Sequence, residues 1–311
     1  MHLTLPNHSN DSWFYTVFTY FDHGANKTLG TLAIKGKYLK YIDTVKTALC
    51  SAPTRLNELT ESQKPSKQTM DLLWRQLILI VNSFSIKLIQ QRKYPQSIDL
   101  IDTSKDLVSY LDTTRADSKD IIDEVNGYIK DSLAYYYSKR DKPSAALKYI
   151  VEAISLQKKR QDKINLMRCN LHRSFILQQL NRYDEAMKIL KDVLKMVDNG
   201  SLDSFYKVKE KRPEKNVDND RQIVLLISVA YHNLCCLQLV KGQIGDACLN
   251  SQNCRRLSRL CINVSSRYLT HFEETHIKAM NELFSVVCPR QTEKEAIVFQ
   301  RLFSQLLNST N

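Results

Sequence analysis

The chain has 311 residues, 43% of them apolar and 25% charged, ordinary proportions for a folded protein. Seven Gly and seven Pro are few for that length, which sets aside a loop-rich all-β fold and favours long helices. The net charge of +12 admits an acidic partner (nucleic acid, acidic protein tails, anionic lipid) without choosing among them.

No continuous apolar run reaches the roughly 18 residues that span a bilayer. The opening MHLTLPNHSND lacks the basic region and apolar core of a signal peptide, so a cytoplasmic protein with no membrane span is expected. Five of the eight cysteines fall at Cys235, Cys236, Cys248, Cys254 and Cys261, with no CxxC pair and no His at zinc-finger spacing. They read as free buried thiols.

In chain order, residues 1–66 form an aromatic-rich segment, WFYTVFTYF at Trp13 to Phe21, followed by a helix and a linker. Leu39, Ile42, Val45 and Leu49 recur at helical spacing and place that helix at Lys37 to Ala52. Gln68 to Arg92 is helical on Met70, Leu73, Trp74, Leu77, Val81, Phe84 and Leu88. The chain turns at Lys93-Tyr94-Pro95, where Pro suits the first turn of the next helix, carried by Ile98, Ile101, Leu107 and Leu111. Ser118 to Lys139 and the segment from Ala146 through Leu156 repeat the pattern about the turn Asp141-Lys142-Pro143. Cys169 to Val197 repeats it again about Asn181-Arg182. Residues 199–220 have no apolar period and mixed charges, and read as a mobile insertion. Gln222 to Val240 and Ala247 to Leu260 make a last hairpin about Lys241-Gly242-Gln243. Further helices are expected at Arg267 to Phe284 and Glu293 to Leu307, the second within a C-terminal helix and frayed tail at 287–311.

Aligned on the residue that opens each second helix, the copies show Ser97, Ala146, Ala186 and Ala247. Twelve residues earlier stand Ser85, Ala134, Ser174 and Cys235, and seven residues later Ser104, Ala153, Val193 and Cys254. Two helices cross closely only where no bulky side chain intervenes, which explains small residues at these offsets. With Tyr94 and Tyr183 at the turns, the pattern resembles the tetratricopeptide repeat (TPR), a 34-residue helix–turn–helix unit. It covers 78–111, 127–160, 167–200 and 228–261 within a repeat domain at 67–286, with anchors 49, 40 and 61 residues apart, so the array is divergent.

The resemblance implies an all-α fold, a right-handed superhelical stack of antiparallel helical hairpins, an α-solenoid whose concave groove is lined by the first helix of each pair. By that resemblance the partner-binding groove positions are Asn82, Tyr128, Asp131, Tyr135, Arg168, His172, Phe175, His232 and Asn233. Tyr135 and Phe175 would cover an apolar side chain, Arg168 would hold a carboxylate, and His172, His232 and Asn233 would donate to peptide carbonyls. The Lys/Asn carboxylate clamp of chaperone-binding repeats is missing. Its positions here hold Asn82 and Ile86, Asp131 and Tyr135, and Leu171 and Phe175.

The sequence carries no phosphate-binding Gly-rich loop, no GxSxG and no HExxH. His271 and His276, five apart, fall on different helix faces, against a shared metal. The expectation is therefore a non-enzymatic protein–protein interaction scaffold with no catalytic residue, cofactor, metal or small-molecule substrate. Its partner would be a protein, an acidic tubulin-like one fitting the positive charge, within a cytoskeletal or ciliary assembly. The alternative is an RNA-associated helical repeat protein, which needs basic residues and stacking aromatics along one face.

Overall fold

The computed structural model describes residues 67–196, 214–261 and 267–287, with four isolated helical positions, Leu39, Ile42, Asp43 and Lys46. Among the described residues there are nine α-helices and no strand. They are α1 (Lys67–Gln90), α2 (Tyr94–Val108), α3 (Ala116–Lys139), α4 (Pro143–Lys159), α5 (Lys163–Gln179), α6 (Tyr183–Lys195), α7 (Glu214–Val240), α8 (Ile244–Cys261) and α9 (Arg267–Val287). The expected aromatic segment Trp13 to Phe21 and the expected helix Glu293 to Leu307 lie outside the described residues. So does the insertion as far as residue 213. Its last seven residues are helical, because α7 begins at Glu214 rather than near Gln222.

Each odd-numbered helix from α1 to α7 pairs with the even one that follows, and consecutive hairpins stack. The small residues of the repeat sit where the helices cross. Ser97 Oγ of α2 donates to the Ser85 carbonyl of α1 at 3.0 Å, and Ala134, Ala146, Ser174, Ala186, Cys235 and Ala247 are all fully buried. At Gly127 of α3 the space a Cβ would take is filled by the end of the Gln157 side chain of α4.

One turn design recurs five times. Arg92, Asp141, Gln161, Asn181 and Gly242 all have φ between 56° and 69°. In each case that residue's N–H donates back three residues and the next N–H donates back five, as in Lys93 N to Leu88 O at 2.8 Å and Arg182 N to Leu177 O at 2.9 Å. This is the Schellman termination, which closes orphan carbonyls at a helix end and needs one left-handed residue. Only Gly242 adopts that conformation without a Cβ penalty. Gln161→Gly is therefore expected to stabilise the protein by roughly 0.5–1 kcal/mol. The left-handed strain of about 1–2 kcal/mol is relieved, partly offset by the greater entropy of the unfolded chain. Urea denaturation of the two proteins measures it.

The helix ends follow local chemistry. Pro95 and Pro143 stand in the first turns of α2 and α4. Asp162 caps α5 by accepting from Asn165 N at 3.0 Å. Lys87, Lys105, Lys139, Lys158, Lys159, Lys195 and Arg259 lie in last turns, where the helix dipole favours positive charge.

The core is divided. One apolar cluster joins α1, α2 and α3, with Trp74, Leu77, Val81, Phe84, Ile101 and Val125, and Ile42 from the N-terminal segment enters it. Another joins α5 through α9, with Leu171, Leu190, Val224, Ile227 and Phe272. A smaller group of Ala134, Ala146, Ile150, Ala153, Ile154, Cys169 and Ile176 lies where α3, α4 and α5 meet. By length and composition two helices, over Met70–Gln90 and Arg221–Val240, are apolar enough to cross a membrane, although neither is a continuous apolar run. In those windows 56% and 72% of the residues are buried inside the solenoid, as expected of core helices.

Candidate binding site in the first-helix layer

The nine expected groove residues all fall on first helices: Asn82 on α1, Tyr128, Asp131 and Tyr135 on α3, Arg168, His172 and Phe175 on α5, His232 and Asn233 on α7. Six of them come together between α3 and α5, while Asn82, His232 and Asn233 stand apart along the row. Asp131, Tyr135, Arg168 and His172 are at most 1% exposed, Asn82, His232 and Asn233 are buried, and Tyr128 and Phe175 are half-buried.

Asp131 is the centre of the group. Its Oδ1 lies 2.6 Å from His172 Nδ1 and its Oδ2 lies 3.4 Å from Arg168 Nη2. Asp131 thus stands as acceptor to the imidazole Nδ1–H and faces the guanidinium. Burial works against the Arg168 charge, but Asp131 and then Tyr128 outweigh it and leave the group harder to deprotonate than an ordinary arginine. The guanidinium also packs on the Tyr128 ring at 4.5 Å. Burial pushes the Tyr128 phenol upward, and its OH lies 3.3 Å from Asn165 Oδ1. The Tyr135 ring meets His172 edge-on at 6.2 Å.

Several members of the group were not singled out in the sequence. Ser138 Oγ donates to Gln179 Oε1 at 2.7 Å, at the far end of the same helix pair. Lys139 Nζ lies 5.5 Å from the Tyr135 ring and 5.9 Å from the Phe175 ring. Burial, followed by the nearby Arg92, holds its ammonium below the usual lysine range. The signal was available: Ser138 continues the spacing of Tyr128, Asp131 and Tyr135, and Asn165 and Gln179 extend that of Arg168, His172 and Phe175. Toward the start of α3, Glu124 takes Arg75 Nε at 2.7 Å and Nη2 at 2.5 Å, tying α1 to α3, and Arg160 reaches Asp120 at 3.0 Å.

The α7–α9 end carries a second histidine group. His232 packs against Phe272 at 4.7 Å and His271 at 4.9 Å, with Cys236 Sγ 3.7 Å from its Nε2. Burial, then the neighbouring His271, push its pKa down to about 3. His276 is buried on the other face of α9, its Nδ1 2.9 Å from Ser251 Oγ. Ser251 already donates to Cys248 O at 2.7 Å, so its oxygen accepts from the His276 Nδ1–H. Among the described residues no group of three His, Cys, Asp or Glu side chains is arranged to hold a metal.

Cys169, Cys235, Cys248 and Cys254 are buried and Cys236 is half-buried, and none of the five is in a disulfide. Burial raises Cys235 to about 12 and Cys236 to about 11. The thiolate is the nucleophile, so neither is expected to react appreciably with iodoacetamide at pH 7.5 in the folded protein, while both do so in urea. Mass spectrometry of the alkylated peptides measures the difference. Rapid folded-state labelling of Cys236 would contradict it.

No family model matches the sequence, and no curated protein matches it. The structure resembles that of BtubC (BKLC) from P. vanneervenii at 9% identity with a TM-score of 0.53, over 85% of this chain and 91% of that one. A second similar structure, a Podosopora anserina putative kinesin light chain with nearly identical TPR-like repeats, aligns at 10% identity and a TM-score of 0.46, over 76% of this chain and 95% of that one. The helix order, the small residues at the crossings, the five matching turns and the likeness to BtubC together make this chain a divergent, all-α TPR-like repeat solenoid.

Proposed function

We infer that the protein is a non-catalytic interaction scaffold that binds a protein partner through the concave side of the stack and its basic surface. The observation that carries this is the segregation of side chains along the first-helix layer. Tyr128, Asp131, Tyr135, Arg168, His172, Phe175 and Lys139 gather on α3 and α5, whereas the return helices present chiefly small and aliphatic residues inward. Positive charge favours an acidic partner, and a cytoplasmic, cytoskeletal or ciliary assembly is the specific reading.

Co-sedimentation with polymerised tubulin at two salt concentrations tests that reading. Binding that weakens from about 50 to 200 mM salt, and weakens further on Phe175→Ala, is expected. Absent or salt-insensitive binding would overturn the tubulin-like partner. The RNA-associated alternative is less well supported, because stacking bases need a row of exposed ring faces, and here Tyr135 is buried while Tyr128 and Phe175 are half-buried.

A further inference from the structure

The helix layers are not joined alike. α1 and α3 share an apolar core, and so do α5 and α7. Between them, α3 and α5 meet through long polar and aromatic side chains rather than by close backbone approach. The links are Asp131 to His172 and Arg168, Ser138 to Gln179, Tyr128 to Asn165, and Arg168 on Tyr128. On the return side, α4 and α5 pack closely through the small apolar cluster, to which α3 adds Ala134, and are joined by the tight turn at Gln161.

Such a junction opens differently from an apolar one. Water cannot replace aliphatic contacts, so separating α1 from α3 or α5 from α7 exposes apolar surface uncompensated. Water does replace hydrogen bonds and ion pairs, and it returns the solvation that Asp131 and Arg168 lost on burial. The weak side of the α3–α5 junction faces the first-helix layer, and its strong side is the α4–α5 contact.

We propose that the α3–α5 junction is a hinge: the block α1–α4 rotates against α5–α9 about the α4–α5 contact, parting α3 from α5. In the closed form Asp131, Tyr135, Arg168 and His172 are inaccessible, and the open form presents them to a partner. That consequence rests on the concave side being the partner site. The hinge does not, since it is measured with no partner present.

The test is electron–electron distance measurement on the full chain, with spin labels on a non-natural ketone amino acid so that the native cysteines stay in place. Labels at Gln96 and Lys191, both exposed, span the junction, and labels at Gln96 and Ser144 lie within the first block. The spanning pair is expected to give a distribution at least twice as broad as the within-block pair. Replacing the junction by apolar groups (Asp131→Leu, Arg168→Met, His172→Leu) is expected to narrow it to the within-block width. Asp131→Asn, which keeps the shape but weakens the pairing, is expected to broaden it. A spanning distribution as narrow as the within-block one overturns the hinge. So does one that Asp131→Asn leaves unchanged, should the apolar variant not fold. If the hinge holds and no partner binds, the reading of the concave side fails alone.

Discussion

Asp131→Ala is expected to lower the unfolding free energy by about 3 kcal/mol, the largest single-residue effect outside the apolar cores. The substitution leaves Arg168, with no exposed side-chain surface, facing a void where its closest countercharge stood, and deprives His172 Nδ1 of its acceptor. Removing one member of a buried ion pair costs roughly 3–5 kcal/mol, because the remaining charge keeps its desolvation penalty. The lower end applies here, since parting α3 from α5 returns Arg168 to water and caps the loss. Urea denaturation followed by circular dichroism measures it. The apolar triple replacement at Asp131, Arg168 and His172 should recover most of the stability, because no charge is then left buried. A loss below about 1 kcal/mol for Asp131→Ala would show that the pair is not desolvated as the structure has it.

The second large effect is acid lability seated at His232. Its folded pKa of about 3 lies far below the ordinary value of 6.5. Between those two pH values the unfolded chain binds a proton there that the folded chain does not. Stability contributed by the neutral imidazole is therefore complete above pH 6.5 and falls as the pH drops, by about 1.4 kcal/mol per unit. The accumulated loss approaches roughly 4–5 kcal/mol near pH 3. His276 adds to it in the same direction, since burial, then Arg255, hold its pKa low against the opposing pull of Glu273. His232→Phe keeps a ring against Phe272 and removes the titration. Melting temperatures from pH 7.5 to 4 should fall less steeply for the variant than for the natural chain. Parallel slopes would mean that His232 is not buried neutral. Because this histidine sits in the α5–α9 core, acid should loosen that block before the α1–α4 block, as hydrogen exchange resolved by peptide would report.

Asp131, Arg168, His172 and His232 stood out in the sequence as polar residues on the inward spacing of first helices, and the structure does put them on those helices. Their state was not readable. A polar residue on an inner helix face is equally compatible with an open groove and with a buried contact, and the distance between α3 and α5 decides between them. Ser138, Lys139, Asn165 and Gln179 are of types common on solvated faces, so spacing alone does not mark them. Only the neighbouring helix turns them into partners.

The sequence by itself determined the hairpins. Apolar spacing marked the helices, small residues at offsets of twelve and seven marked the crossings, and prolines and polar turns marked the ends, because these features act within some 30 residues of chain. It also located four of the five turns, though not the one at Gln161 nor their shared left-handed residue, since Arg92 and Gln161 carry no sign of that conformation in their side chains. Tertiary structure alone decided that α7 begins at Glu214, that the core divides at α3 and α5, and that Asp131 binds both Arg168 and His172. These depend on which surfaces face each other across 37 to 41 residues of chain, a separation at which local spacing carries no information.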